Sequence, residues 1–188
     1  MIEILKTELP DLVLIKPKVF GDARGFFLES YNAKEMLKNG FAQNFVQDNQ
    51  SVSSFGTLRG LHYQRGEYAQ AKILRVIQGR ILDVVVDLRP DSITYKKSYA
   101  VELSAENYLQ IFVPRQFAHG FVVLSESATV VYKCDNYYSP EHEGGIYHAD
   151  PELQIDWRIP QDRRILSAKD QKLPSLKTVI ATKDWIAR

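Results

Sequence analysis

Apolar and polar residues alternate with a two-residue period over much of this chain, and its apolar stretches are short, rich in β-branched and aromatic side chains, and cut by turn formers. On this pattern residues 12–15, 72–77, 80–88, 99–103, 109–113, 121–124 and 129–133 read as strands, each bounded by Gly, Pro, Ser, Asn or Asp. Short strands at this spacing predict an all-β sandwich or barrel. Gln78-Gly79 reads as a tight hairpin and residues 104–107 as a second turn, which makes the flanking strands antiparallel neighbours. One short helix is predicted near the start: Asn32 caps it, Glu35 completes a capping box and Gly40 ends it. From Asp150 onward proline and charge increase, and the apolar stretches are too short for a core of their own. That predicts an irregular C-terminal tail wrapped around the β domain.

Composition narrows the picture. With 188 residues, 45% of them hydrophobic, the whole chain, 1–188, suits one domain with a sizeable core. Twenty-four basic against twenty-three acidic residues leave a formal charge of +1, so no global field draws nucleic acid or an anionic membrane, and any bound anion must be held locally. The single cysteine, Cys134, excludes an internal disulfide framework, and the N-terminus lacks the basic and apolar regions of a signal peptide. No apolar run approaches the roughly 18 to 20 residues of a bilayer span. A soluble protein of the reducing cytoplasm is expected.

Three segments gather basic groups beside predicted strands: residues 57–64, containing Arg59 and His62; residues 70–74, containing Lys72; and residues 114–121, containing Arg115 and His119. A buried histidine or lysine costs desolvation unless it is paired or meets an anion, so such positions are candidate sites. Period-two alternation puts Lys72 on a face with Leu74 and Val76, and Tyr132 on one with Val130 and Cys134, both suited to a barrel interior. Bland readings stand beside each. Alone, His62 is a satisfied structural histidine, His119 shapes a turn, and Tyr132 is barrel packing. Arg24 and Glu29 read as a solvated loop pair, Asp170 as an exposed tail residue, and His142 and His148 as exposed loop residues without a role.

These segments resemble the dTDP-4-dehydrorhamnose 3,5-epimerase family, a jelly-roll, cupin-like family, and the resemblance runs nearly end to end. It rests on residues 21–30, 45–49 and 59–62, on Ala71-Lys72, on Asp83 with residues 86–89, on residues 118–121, on residues 132–134 with 138–141, and on residues 166–170. So many motifs in order leave little room for coincidence. The resemblance implies His62 as catalytic base, Asp170 as its orienting partner, Tyr132 as general acid and Lys72 as the cation that stabilises an enolate. It implies Arg24, Arg59 and His119 as contacts to the sugar nucleotide, Gln47, Asp48 and Asn49 as lining, Glu29 and Tyr138 at the nucleobase, and Glu143 and Lys169 as peripheral contacts. It further implies a homodimer that exchanges its N-terminal segment.

The chemistry so implied is coherent. A ketone at C4 of a dTDP-linked 4-keto-6-deoxy sugar acidifies the hydrogens at C3 and C5, so one base between them begins inversion at either carbon without a cofactor. A carboxylate fixes the tautomer of the histidine, and an acid on the opposite face returns the proton. Rival readings are an epimerase acting only at C3 or only at C5, a metal-dependent cupin oxygenase, and a non-catalytic sugar-nucleotide-binding cupin. The oxygenase lacks half its ligand motif, because His62 is followed by Tyr63 and Gln64 where a metal cupin places a second histidine. Three positions depart from the family pattern: Gln116 stands where glycine is usual, the loop 92–97 lacks proline and glycine, and His148 stands where tryptophan is usual.

Overall fold

The computed structural model describes residues 2–183 and 185. In chain order its strands are β1 (Ile2–Lys6), β2 (Val13–Pro17), β3 (Val19–Asp22), β4 (Gly25–Leu28), β5 (Gln47–Ser54), β6 (Leu58–Gln64), β7 (Lys72–Gln78), β8 (Arg80–Asp87), β9 (Ser98–Ser104), β10 (Gln110–Val113), β11 (Phe117–Val123), β12 (Ser127–Cys134) and β13 (Glu143–Gly145), with helices α1 (Ala33–Lys38) and α2 (Leu176–Thr182). One sheet runs β1-β2-β10-β7-β12-β5 and a second β13-β6-β11-β8-β9, while β3 and β4 form a separate hairpin. Every strand pair is antiparallel. The all-β sandwich read from the pattern is what forms.

Period-two alternation explains the layers. Leu74 and Val76 of β7, Val130 of β12, Ile81 and Val85 of β8 and Phe121 of β11 meet between the two sheets. The alternate residues of the second sheet, Leu82, Val84, Val86 and Val122, face the other way, onto Leu153, Trp157, Ile159, Leu176, Val179 and Trp185 of the C-terminal segment. That segment wraps the sheet as expected, and β8 is buried on both faces, which is why it reads as a nearly continuous apolar run. Its indole N–H groups are satisfied on the way: Trp157 donates to the His148 carbonyl at 2.8 Å and Trp185 to that of Leu88 at 2.7 Å. The tail is less irregular than expected, because Ser175 caps α2 through a bond from Thr178 N–H. The β-branched Thr178, Val179 and Ile180 hid this helix from a pattern reading; its apolar face docks on the sheet.

Two connections differ from expectation. Gln78-Gly79 is not a hairpin between paired strands: β7 lies in the first sheet and β8 in the second, so this turn is a corner. Residues 104–107 do turn, with Asn107 Oδ1 accepting from the N–H groups of Ser104 and Leu109, yet they too pass from one sheet to the other. Local sequence encodes a reversal, whereas facing each other across a core or pairing edge to edge depends on which other strands compete for the edge. Asn32 caps α1 as predicted, accepting from the N–H groups of Lys34 and Glu35. Among the described residues no helix is long and apolar enough to cross a membrane.

Candidate active site

The site lies where β6, β7, β11 and β12 open toward the C-terminal segment. Its backbone depends on two glycines. A Cβ on Gly60 would stand 2.5 Å from Gly120 Cα, and one on Gly120 would stand 2.6 Å from the Arg59 carbonyl oxygen. Only glycine at both places lets β6 and β11 approach this closely, with the pairing shifting register between His119 and Phe121. His62 and His119 thereby become directly opposed partners.

Each histidine is held by its own carboxylate. His62 Nε2 lies 2.5 Å from Asp170 Oδ1, and His119 Nε2 lies 2.8 Å from Asp83 Oδ2. A carboxylate only accepts, so each Nε2 carries the proton and Nδ1 of His62 keeps a lone pair. Burial alone would raise the Asp170 pKa, but the hydrogen bond and charge of His62 and the hydroxyl of Ser167 outweigh it and hold the carboxyl below its ordinary value. Asp170 is 4% exposed, so the expectation of an exposed tail residue fails and its place beside His62 stands. The turn role weighed for His119 also fails, since it sits within β11.

Lys72 and Tyr132 occupy adjacent strands, the ammonium 6.0 Å from the centre of the phenol ring. Among the described residues Lys72 has no ion-pair partner; desolvation lowers its pKa, and Cys134, Glu143 and Asp83 pull it back upward. Burial raises the pKa of Tyr132, which keeps the phenol protonated. His62, Lys72, Tyr132, Tyr138 and Glu143 are common to two recesses, of about 510 and 280 Å³. Arg59, His119, Lys169 and Asp170 line the larger, Gln47 and Asn49 the smaller. Arg59 is steadied by a bond of 3.1 Å to Ser53.

The rim is a chain of contacts. The Tyr138 hydroxyl donates to Glu143 at 2.5 Å, which pushes the phenol up to about 12, and Lys169 closes on the same carboxylate. Gln47 bonds Asn49 at 3.1 Å and accepts from Tyr138 N–H at 3.0 Å.

Three expected residues are not brought together with the rest within this chain. Asp48 alternates out of the site and pairs with Lys133 on the far face of the first sheet. Arg24 is bound to Asp22 in the exposed tip of the β3-β4 hairpin, and Glu29 is exposed beyond β4. Sequence reasoning also passed over residues that matter. Asp83, fully buried at the centre of an apolar strand, was legible by the argument applied to buried bases, yet it was given no role. Ser167 and Ser53 carry no such signal. Among the described residues no three His, Cys, Asp or Glu side chains group as metal ligands.

The model of the family described as dTDP-4-dehydrorhamnose 3,5-epimerase matches residues 6–178. An Escherichia coli K12 protein of that description is 49% identical over 96% of this chain and 97% of its own. This chain belongs to the dTDP-4-dehydrorhamnose 3,5-epimerase family. The crystal structure of the family member from Elizabethkingia anophelis is 53% identical, with a TM-score of 0.90 over 94% of this chain and 97% of that one. The structure from Legionella pneumophila, in complex with dTDP-4-keto-L-rhamnose, is 43% identical with a TM-score of 0.94 over 100% of this chain and 98% of that one. The sandwich is therefore the cupin-like jelly roll of this epimerase family, and the chain is an isomerase of dTDP-rhamnose biosynthesis that epimerises a nucleotide-linked 4-keto sugar at C3 and C5. Two family departures now have structures: Gln116 holds φ at 67°, the left-handed region that glycine adopts freely, and His148 is 3% exposed, against its expected exposure.

Proposed function

We propose that His62 removes the proton beside the C4 ketone of a dTDP-4-keto-6-deoxy sugar, that Lys72 stabilises the enolate and that Tyr132 returns a proton from the opposite face. The observation that carries this reading is the 2.5 Å bond from His62 Nε2 to the buried Asp170, which leaves Nδ1 as the base and stabilises the imidazolium once the proton arrives. Among the described residues Lys72 forms no ion pair, so charge developing on the C4 oxygen meets a cation not already spent on a direct partner. One such donor is worth about 3 to 4 kcal/mol to a transition state. The reaction transfers protons alone and calls for no cofactor. His119, locked on Asp83, and Arg59 contact the sugar and the diphosphate, with Gln47 and Asn49 beside them. Tyr138 offers an exposed ring to the nucleobase, while Glu143 and Lys169 guard the rim.

Arg24, Asp48 and Glu29 find no place at this site in one chain. A homodimer that lays the β3-β4 hairpin across its partner gives Arg24 and Glu29 a site on the other subunit. Phe20, Phe26 and Phe27 on that hairpin, at 53%, 60% and 67% exposed, support the exchange. One domain spanning 1–188, working in a cytoplasm that keeps the Cys134 thiol reduced, completes the reading.

The test is proton NMR of dTDP-4-dehydro-6-deoxyglucose with the protein in D2O. Wild type is expected to lose signal at C3 and C5, His62→Ala at neither, and Tyr132→Phe to exchange from the base side while inversion is blocked or diverted. Equal exchange in wild type and His62→Ala sinks the base assignment.

A further inference from the structure

The proposed catalytic carboxylate has two oxygens, and only one meets His62. Asp170 Oδ2 accepts the Ser167 hydroxyl at 2.9 Å, while the Asp170 N–H donates back to Ser167 Oγ at 3.1 Å. A single hydroxyl thus grips both the backbone and the carboxylate of one residue, fixing where the carboxylate stands and how it is rotated. Asp170 is 4% exposed, so little water is at hand to replace a lost donor on Oδ2.

The segment carrying the pair is docked by other bonds. Leu58 N–H donates to the Ile165 carbonyl and Ile165 N–H to that of Gly56, both at 2.9 Å, and Tyr147 N–H donates to the Pro174 carbonyl at 2.8 Å. Gln171 N–H takes the Ser167 carbonyl, which any residue at 167 supplies. Removing the hydroxyl therefore leaves the loop in place and frees the carboxylate to turn.

We propose that Ser167 is a positioning residue for the epimerisation: its hydroxyl holds Asp170 in the orientation that keeps Oδ1 on His62 Nε2 and so aims Nδ1 into the cavity. This rests on the reading of His62 as base. Ser167 touches no substrate in this assignment. It acts through Asp170, and its contribution belongs to turnover, not to affinity, because the nucleotide contacts at the rim do not pass through it.

Ser167→Ala, Ser167→Thr and Asp170→Asn are compared with wild type for kcat and KM on dTDP-4-dehydro-6-deoxyglucose, for dTDP affinity and for the pH profile of kcat/KM. Ser167→Ala is expected to lose about 10- to 100-fold in kcat, the scale of a misaligned catalytic group, with KM and dTDP affinity within about two-fold of wild type, a span that is small on the affinity scale. A carboxylate turned away from Nε2 steadies the protonated ring less, so the acid limb of kcat/KM moves to lower pH. Ser167→Thr, which keeps the hydroxyl, is expected to recover most of the loss. Wild-type kcat in Ser167→Ala, or a parallel loss of dTDP affinity that Ser167→Thr does not rescue, overturns the proposal. An active Asp170→Asn overturns the base reading beneath it, whereas an inactive Asp170→Asn beside an unimpaired Ser167→Ala defeats the role of Ser167 alone.

Discussion

His148 and Gln116 show what single residues cost this fold. His148 is buried against Tyr147 and Trp157, neither ring nitrogen has a hydrogen-bond partner among the described residues, and desolvation together with Arg164 lowers its pKa, opposed by Asp170. Its folded pKa lies below the unfolded value, so the unfolded chain binds the extra proton first. Stability is therefore full above the unfolded pKa near 6.5 and declines as pH falls toward the folded value. His148→Phe removes that slope: thermal unfolding should show the variant gaining on wild type at pH 5 relative to pH 8. A constant difference between the two pH values would discard this account. Gln116, held at φ 67°, carries left-handed strain of about 1 kcal/mol that glycine relieves. Gln116→Gly should raise the unfolding midpoint slightly or leave it unchanged through the added chain entropy, while Gln116→Val should lower it.

Strands, more than loops, build the site. β6 and β11 cross at Gly60 and Gly120, and this contact sets His62 opposite His119. Gly120→Ala forces a methyl against the Arg59 carbonyl; it should cost about 1 to 3 kcal/mol and lower kcat as well, because the strand shift displaces both histidines. Urea unfolding and turnover measured on the same preparation check this, and wild-type values for both would show that the strands have room to spare. β5 was invisible to the pattern reading because residues 47–54 are polar at every position but Val52. It is polar for a physical reason: its inward alternate residues, Gln47 and Asn49, line a site for a charged ligand, and the strand gains its order from pairing with β12 over its whole length. Resemblance found what periodicity did not.

At the scale of the whole molecule, the exposed phenylalanines of the β3-β4 hairpin and the outlying Val52 and Ile77 of the first sheet describe a chain with surface left to cover. Light scattering is expected to give twice the 21.6 kDa of one chain; a mass of one chain would leave Arg24 and Glu29 without the site proposed for them. What the sequence determined by itself is the class and the chemistry: short alternating runs make an all-β sandwich, and the ordered motifs around His62, Lys72, Tyr132 and His119 name its family. These are local properties, carried by side-chain period and by residues adjacent in the chain. Only the tertiary structure decided which strands pair and which face each other, that Gln78-Gly79 turns a corner, that Asp48 looks away from the site, and that Asp170, which resemblance alone had set beside His62 across 108 positions of sequence, is buried there. Such outcomes follow from competition for sheet edges and from the burial of one segment against another, and no window of sequence contains both partners.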